Sequence, residues 1–115
     1  MGADTYPVFD ESVFARMKSD VGEDVAFMLL GSLKGEIEKG VAALRQHFTE
    51  QDYHMLENQA HALKSAVRSF GAMRLGEACL ALETAGKEKL SWEAIELQLA
   101  DFESISKETL SLLNK

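Results

Sequence analysis

Leu30, Leu33, Ile37, Val41, Leu44 and Phe48 follow one another at spacings of three and four without a break. That is the repeat of a long α-helix turning one face to a core. A helix with a single apolar stripe must bury it against other elements, so the rest of the chain has to supply partners. Nothing competes with helix elsewhere: there is one proline, β-branched residues are sparse, and no stretch alternates apolar and polar long enough for a strand. At 115 residues with 46% apolar content the chain is one domain able to bury a single core.

Five helical segments are readable. Asp10 caps a short first helix over about 10–19, with Val13, Phe14 and Met17 on its apolar face. The long helix follows over about 23–49. Gly31, Gly35 and Gly40 each weaken it by up to about 1 kcal/mol relative to alanine, and close helix approach at those positions is one way to offset the loss. Asp52 caps a third helix over about 52–70, which Gly71 terminates. A fourth runs over about 72–86 and stops at Gly86. Ser91 caps a fifth over about 91–114, with Trp92, Ile95, Leu99, Phe102, Leu110 and Leu113 inward. Short connections make consecutive long helices antiparallel. The expected fold is all-α: an up-down-up-down four-helix bundle with the short helix across one end.

The formal charge of −7 argues against nucleic acid and against an anionic membrane surface. No apolar run approaches the ~18 residues of a membrane span, and residues 1–7 lack a basic-then-apolar signal pattern. The single Cys79 falls in phase with Leu75, Ala78 and Leu82 and reads as a buried thiol in a reducing compartment. These features predict a cytoplasmic protein.

On the third helix, about 100° per residue places Leu56, Ala60, Leu63, Val67 and Phe70 in one stripe. His61 lies roughly 140° from its middle and so points at water. His54, Glu57, Asn58, Ser65 and Arg68 share that outer face, with Lys64 at its edge. An imidazole with an ordinary pKa near 6.5 is mostly neutral at pH 7 and keeps a lone pair for nucleophilic attack. Lys64, one turn on, can meet phosphate oxygens with a point charge. Ser65 keeps the surface low for an approaching partner, and Glu57, one turn before, can accept the other ring N–H. Phe9, Val13 and Met17 offer an apolar docking patch flanking the histidine, with Asn58 and Arg68 beside it.

The run His61-x-Leu63-Lys64, then Ser69-Phe70-Gly71-Ala72-x-x-Leu75, then Cys79-x-x-x-Glu83 resembles the histidine-containing phosphotransfer (HPt) family. Within it, the small stand-alone proteins of bacterial phosphorelays, quorum-sensing circuits included, are most similar. The resemblance implies a phosphorylated histidine at His61, a phosphoryl-stabilising Lys64 and no kinase activity. It implies exchange with receiver-domain aspartates of a hybrid sensor kinase and a response regulator, the Mg²⁺ belonging to the receiver. It further places Glu83 where a polar residue hydrogen-bonds the ring and Lys87 where some members carry a basic group. Ser65 departs from the glycine most members have there.

Three rivals are weaker. His47, His54 and His61 lie seven apart, but His47 is on another helix and no metal-binding spacing occurs, so no metal or other bound cofactor is expected. A passive helical adaptor gripping a partner through an apolar patch has no need of a solvated imidazole beside an ammonium. An independent enzyme lacks a phosphate loop and a substrate cavity. One copy of the chain suffices for the chemistry.

Overall fold

The computed structural model describes residues 6–114. Residues 1–5, part of the segment read for a targeting signal, and residue 115 lie outside the described residues. Among the described residues there are five helices and no strand: α1 (Glu11–Val21), α2 (Glu23–Thr49), α3 (Tyr53–Ser69), α4 (Met73–Lys87) and α5 (Trp92–Leu113).

Three of the five helices start at a side-chain cap. The Asp10 carboxylate accepts from Ser12 N at 3.0 Å, the Asp52 carboxylate from Met55 N at 3.0 Å and Ser91 Oγ from Ala94 N at 3.2 Å. Such a side chain takes up a backbone N–H that the helix itself leaves unpaired, and losing the one at Asp52 would cost about 1 kcal/mol. Gly71 closes α3 with φ of +89°. Its carbonyl also accepts Asp10 N at 2.7 Å, and a Cβ there would stand 2.6 Å from the Asp10 carbonyl oxygen. Two further bonds, from Arg74 N to the Pro7 carbonyl and from Arg74 Nε to the Tyr6 carbonyl, strap the N-terminal segment over the α3–α4 turn.

The core gathers Leu33, Ile37 and Leu44 of α2, Leu56 and Val67 of α3, Leu75 and Leu82 of α4, and Ile95, Leu99 and Phe102 of α5. Burying each of these contributes at most about 1.5–3 kcal/mol. α2 and α4 each pack on both α3 and α5, and α1 packs on α2. No residue of α1 is fully buried; Phe14 packs edge-on against Phe27 with ring centres 5.6 Å apart. At the other end Trp92 stacks on Tyr53 and meets the edge of Phe48, while the Tyr53 hydroxyl donates to the Leu90 carbonyl at 2.7 Å. Arg45 of α2 grips α5 with a two-pronged bond to Glu103 and a second carboxylate, Glu96. Part of the acidic surface is therefore paired rather than simply solvated.

The glycines divide differently from expectation. α4 does not stop at Gly86 but runs one residue further, and the positive φ belongs to Lys89. Gly86 serves approach instead: a Cβ there would lie 2.9 Å from the Tyr53 carbonyl oxygen and 3.1 Å from Glu57 N. Of the three glycines in α2, only Gly40 meets a neighbour, Leu63 of α3. Nothing lies within 4 Å of a Cβ built on Gly31 or Gly35.

Cys79 is fully buried, and desolvation pushes its thiol up to about 12. The thiolate is the reactive form. A disulfide thiol reagent is therefore expected to label the native protein at least ~100-fold more slowly than the unfolded chain; equal rates would place the thiol at the surface. No helix among the described residues is long and apolar enough to cross a membrane.

Candidate functional site

The stripe that buries Leu56, Ala60, Leu63 and Val67 leaves the opposite side of α3 in water, and His61 stands on that side with its side chain 62% exposed. Its Nδ1 lies 2.7 Å from Glu83 Oε2 of α4. An ionised carboxylate can only accept, so Nδ1 carries a ring proton, and in the neutral ring the lone pair belongs to Nε2, which has no hydrogen-bond partner among the described residues. Glu83 is two-faced: its other oxygen, Oε1, accepts from Lys64 Nζ at 2.5 Å. Burial alone pulls the Glu83 carboxyl upward. The hydrogen bonds from Lys64 and His61 outweigh it, and the group is held below the usual carboxylate range. At neutral pH the three side chains form a bridge of imidazole, carboxylate and ammonium across the α3–α4 seam.

Lys64 sits at the edge of the exposed face, as expected, and is paired rather than left to solvent. Its side chain is 14% exposed and is tied to Glu83. An ammonium has three donors, so others remain for a second oxygen ligand. Ser65 is exposed and its hydroxyl folds back to the His61 carbonyl at 3.4 Å, which leaves the approach to the ring clear.

The expectation that Glu57 would hold the ring is corrected. Glu57 is half-buried under Gly86 and makes no hydrogen bond to His61; Glu83 takes that place. The reason is the tight crossing of α3 on α4, which presents an α4 residue to the ring and which one helix read alone does not display. Asn58 pairs with His54 (3.1 Å) and Arg68 with Glu77 (2.7 Å). Lys87 is exposed one turn beyond Glu83 and has no ion pair among the described residues.

The docking residues do not form one patch around the histidine. Phe9 turns to Phe14 and lines a hollow with Phe27, Leu30, Leu112 and Leu113. Val13 lies against Gly71, about 15 Å along α3 from His61 at 1.5 Å per residue. Met17 is half-buried on α1. A groove of about 540 Å³ between α2 and α5 is lined by residues of those two helices and Asn114, and by none from the histidine's seam. No group of three or more His, Cys, Asp or Glu that could hold a metal occurs among the described residues.

A helical bundle that holds out one imidazole by a single nitrogen, with an ammonium beside it, is built to carry a group for another protein. The chain belongs to the Hpt domain family, whose profile matches residues 28–108, and its activity is histidine phosphotransfer. His61, Lys64 and Glu83 fall within the matched span; α1 lies outside it. The chain is similar to the phosphorelay protein LuxU of Vibrio harveyi, with 29% identity over 80 residues, 70% of each chain. Its fold is that of histidine-containing phosphotransfer protein B (HptB) from Pseudomonas aeruginosa PAO1. That match has a TM-score of 0.70, covers 91% of this chain and 96% of the other, and has 23% identity.

Proposed function

We propose that His61 carries the phosphoryl group between receiver-domain aspartates of a two-component phosphorelay, taking it from a hybrid sensor kinase and passing it to a response regulator. The observation that carries this reading is the Nδ1 contact to Glu83, which leaves Nε2 as the open nucleophile on an exposed ring.

The step balances without a base. The Nε2 lone pair forms the new N–P bond as the bond from phosphorus to the aspartyl oxygen breaks. The aspartate leaves with that electron pair as a carboxylate. The ring gains positive charge, Nδ1 keeps its proton, and Glu83 is already in place to balance the charge. Lys64 offers a remaining N–H to the equatorial phosphoryl oxygens. Phosphoryl transfer asks mainly for such positioning and charge neutralisation. Mg²⁺ and the acidic cluster that binds it belong to the receiver in this reading, and this chain acts as carrier without kinase activity of its own.

An up-down-up-down course of α2 to α5 suits the role. It is supported by contacts in which late α3 meets early α4 (Arg68–Glu77) and early α3 meets the end of α4 (Tyr53 against Gly86). Late α2 likewise meets early α5 (Arg45–Glu96). The α1 end, with Val13 and Met17, then stands within the reach of a receiver seated on His61.

Incubation with a phosphorylated receiver should place one acid-labile, alkali-stable phosphate on the chain, with a phosphorus–nitrogen coupling at Nε2 by NMR. An acid-stable label, or coupling at Nδ1, would overturn the assignment. Lys64→Ala should fold normally and slow transfer about tenfold, the worth of one charge-assisted hydrogen bond. Transfer rates and phosphohistidine lifetimes equal to those of the unaltered chain would remove Lys64 from the chemistry.

A further inference from the structure

On the side of α2 turned away from α3 and α5 a large apolar side chain stands in water: Met28 is 64% exposed, with Val25 exposed at its flank. At about 100° per residue, Asp24, Met28, Gly31, Ser32, Gly35 and Lys39 fall within roughly 100° of one another, opposite the buried Leu33, Ile37 and Leu44. Gly31 and Gly35, which no group among the described residues approaches, lie one and two turns beyond the most exposed methionine. Knob, gap and charge thus lie in order along one unpartnered face.

We propose that this face pairs antiparallel with the same face of a second copy of this chain, about a two-fold axis between Gly31 and Ser32. Met28 then seats over the gap at Gly35 of the second copy, and Gly31 crosses Ser32. Asp24 comes opposite Lys39, and the two-fold forms that ion pair twice. Neither Asp24 nor Lys39 has an ion-pair partner among the described residues of its own chain, and both are exposed. Charge selects the direction: a parallel pairing would set Asp24 on Asp24 and Lys39 on Lys39, which is repulsive. The open glycines let the two backbones approach, which gives a reason for residues that weaken an exposed helix. His61 and Glu83 bridge α3 and α4, so the pairing leaves the ring open to a receiver. One helix face on each side is a small interface, and the pairing is reversible, with a Kd of about 10–100 µM.

Sedimentation equilibrium across that range should show the 12.7 kDa chain giving way to a species of twice its mass. Asp24→Lys should weaken the pairing at least ~tenfold, and Asp24→Lys with Lys39→Asp should restore it to within about threefold. Met28→Glu, at a site too exposed to disturb folding, should weaken it comparably. A single species of one chain's mass up to ~1 mM would overturn the proposal. So would a folded double variant that does not regain pairing. If Met28→Glu slows transfer from a receiver while the mass is unchanged, the face belongs to the receiver instead, and the proposal fails.

Discussion

Replacing His61 by glutamine is expected to remove phosphoryl transfer completely while leaving the fold as it is. Glutamine keeps an amide that can face Glu83 but offers no nitrogen lone pair, so no N–P bond can form. The site is exposed and contributes nothing to the core, so the stability change should stay within about 0.5 kcal/mol, a shift in Tm of up to about 3 °C. The measurement is label incorporation from a phosphorylated receiver, alongside circular dichroism. Undiminished labelling of the variant would move the carrier role to another residue. His54, two turns earlier on the same face and bonded to Asn58, would then be the first alternative to test.

The second large effect is expected at Glu83. Its carboxylate holds the Nδ1 proton and meets the positive charge that the ring acquires when phosphorylated. Glu83→Ala removes a charge-assisted hydrogen bond worth about 1.5–3 kcal/mol, so transfer should slow about ten- to hundredfold. A purely structural role is separated by ring ¹⁵N shifts: the protein should show the Nδ1–H tautomer, and the variant a growing share of Nε2–H. Glu83→Gln, whose amide oxygen still accepts, should recover the tautomer but only part of the rate. The pH dependence has a definite sign. A carboxyl lowered in the folded state adds stability that is fully present above its unfolded value near 4.5 and is lost as pH falls through the folded value. The gap in Tm between the protein and Glu83→Ala should therefore be widest at neutral pH and narrow as the pH falls below 4.5. A gap that does not change with pH would show that Glu83 acts through packing alone.

How far the sequence foretold this arrangement depends on what each residue answers to. Asp10, Asp52 and Ser91 cap the helices expected of them because capping is settled within three residues of chain. The exposed position of His61 followed from helical phase alone. Glu83 did not: its place beside the ring depends on how closely α4 crosses α3, and only the likeness to a known family pointed to it. The same crossing gave Gly86 a use that a helix-stop reading misses. For Lys64 its own helix shows only a residue at the edge; the carboxylate it pairs with sits on the neighbouring one. Close approach of a helix was one use open to Gly31 and Gly35, yet no described residue stands against either, since phase tells which residues share a side but not what covers it. Phe9 was grouped with Val13 and Met17 in one apolar patch, yet it turns to Phe14 while Val13 lies against Gly71.

The near-contact of Gly86 with the Tyr53 carbonyl and Glu57 N sits one turn from the carboxylate that holds the histidine. α3 and α4 are spaced there by the absence of a side chain, as a gauge block sets the jaws of a caliper. A methyl group added at that point would open the jaws by tenths of an ångström, and the carboxylate oxygen would drift from the imidazole by a similar amount. Reactivity in this protein is thus tunable from a residue that never meets the phosphoryl group, and glycine at position 86 is as much a setting of the chemistry as a feature of the packing.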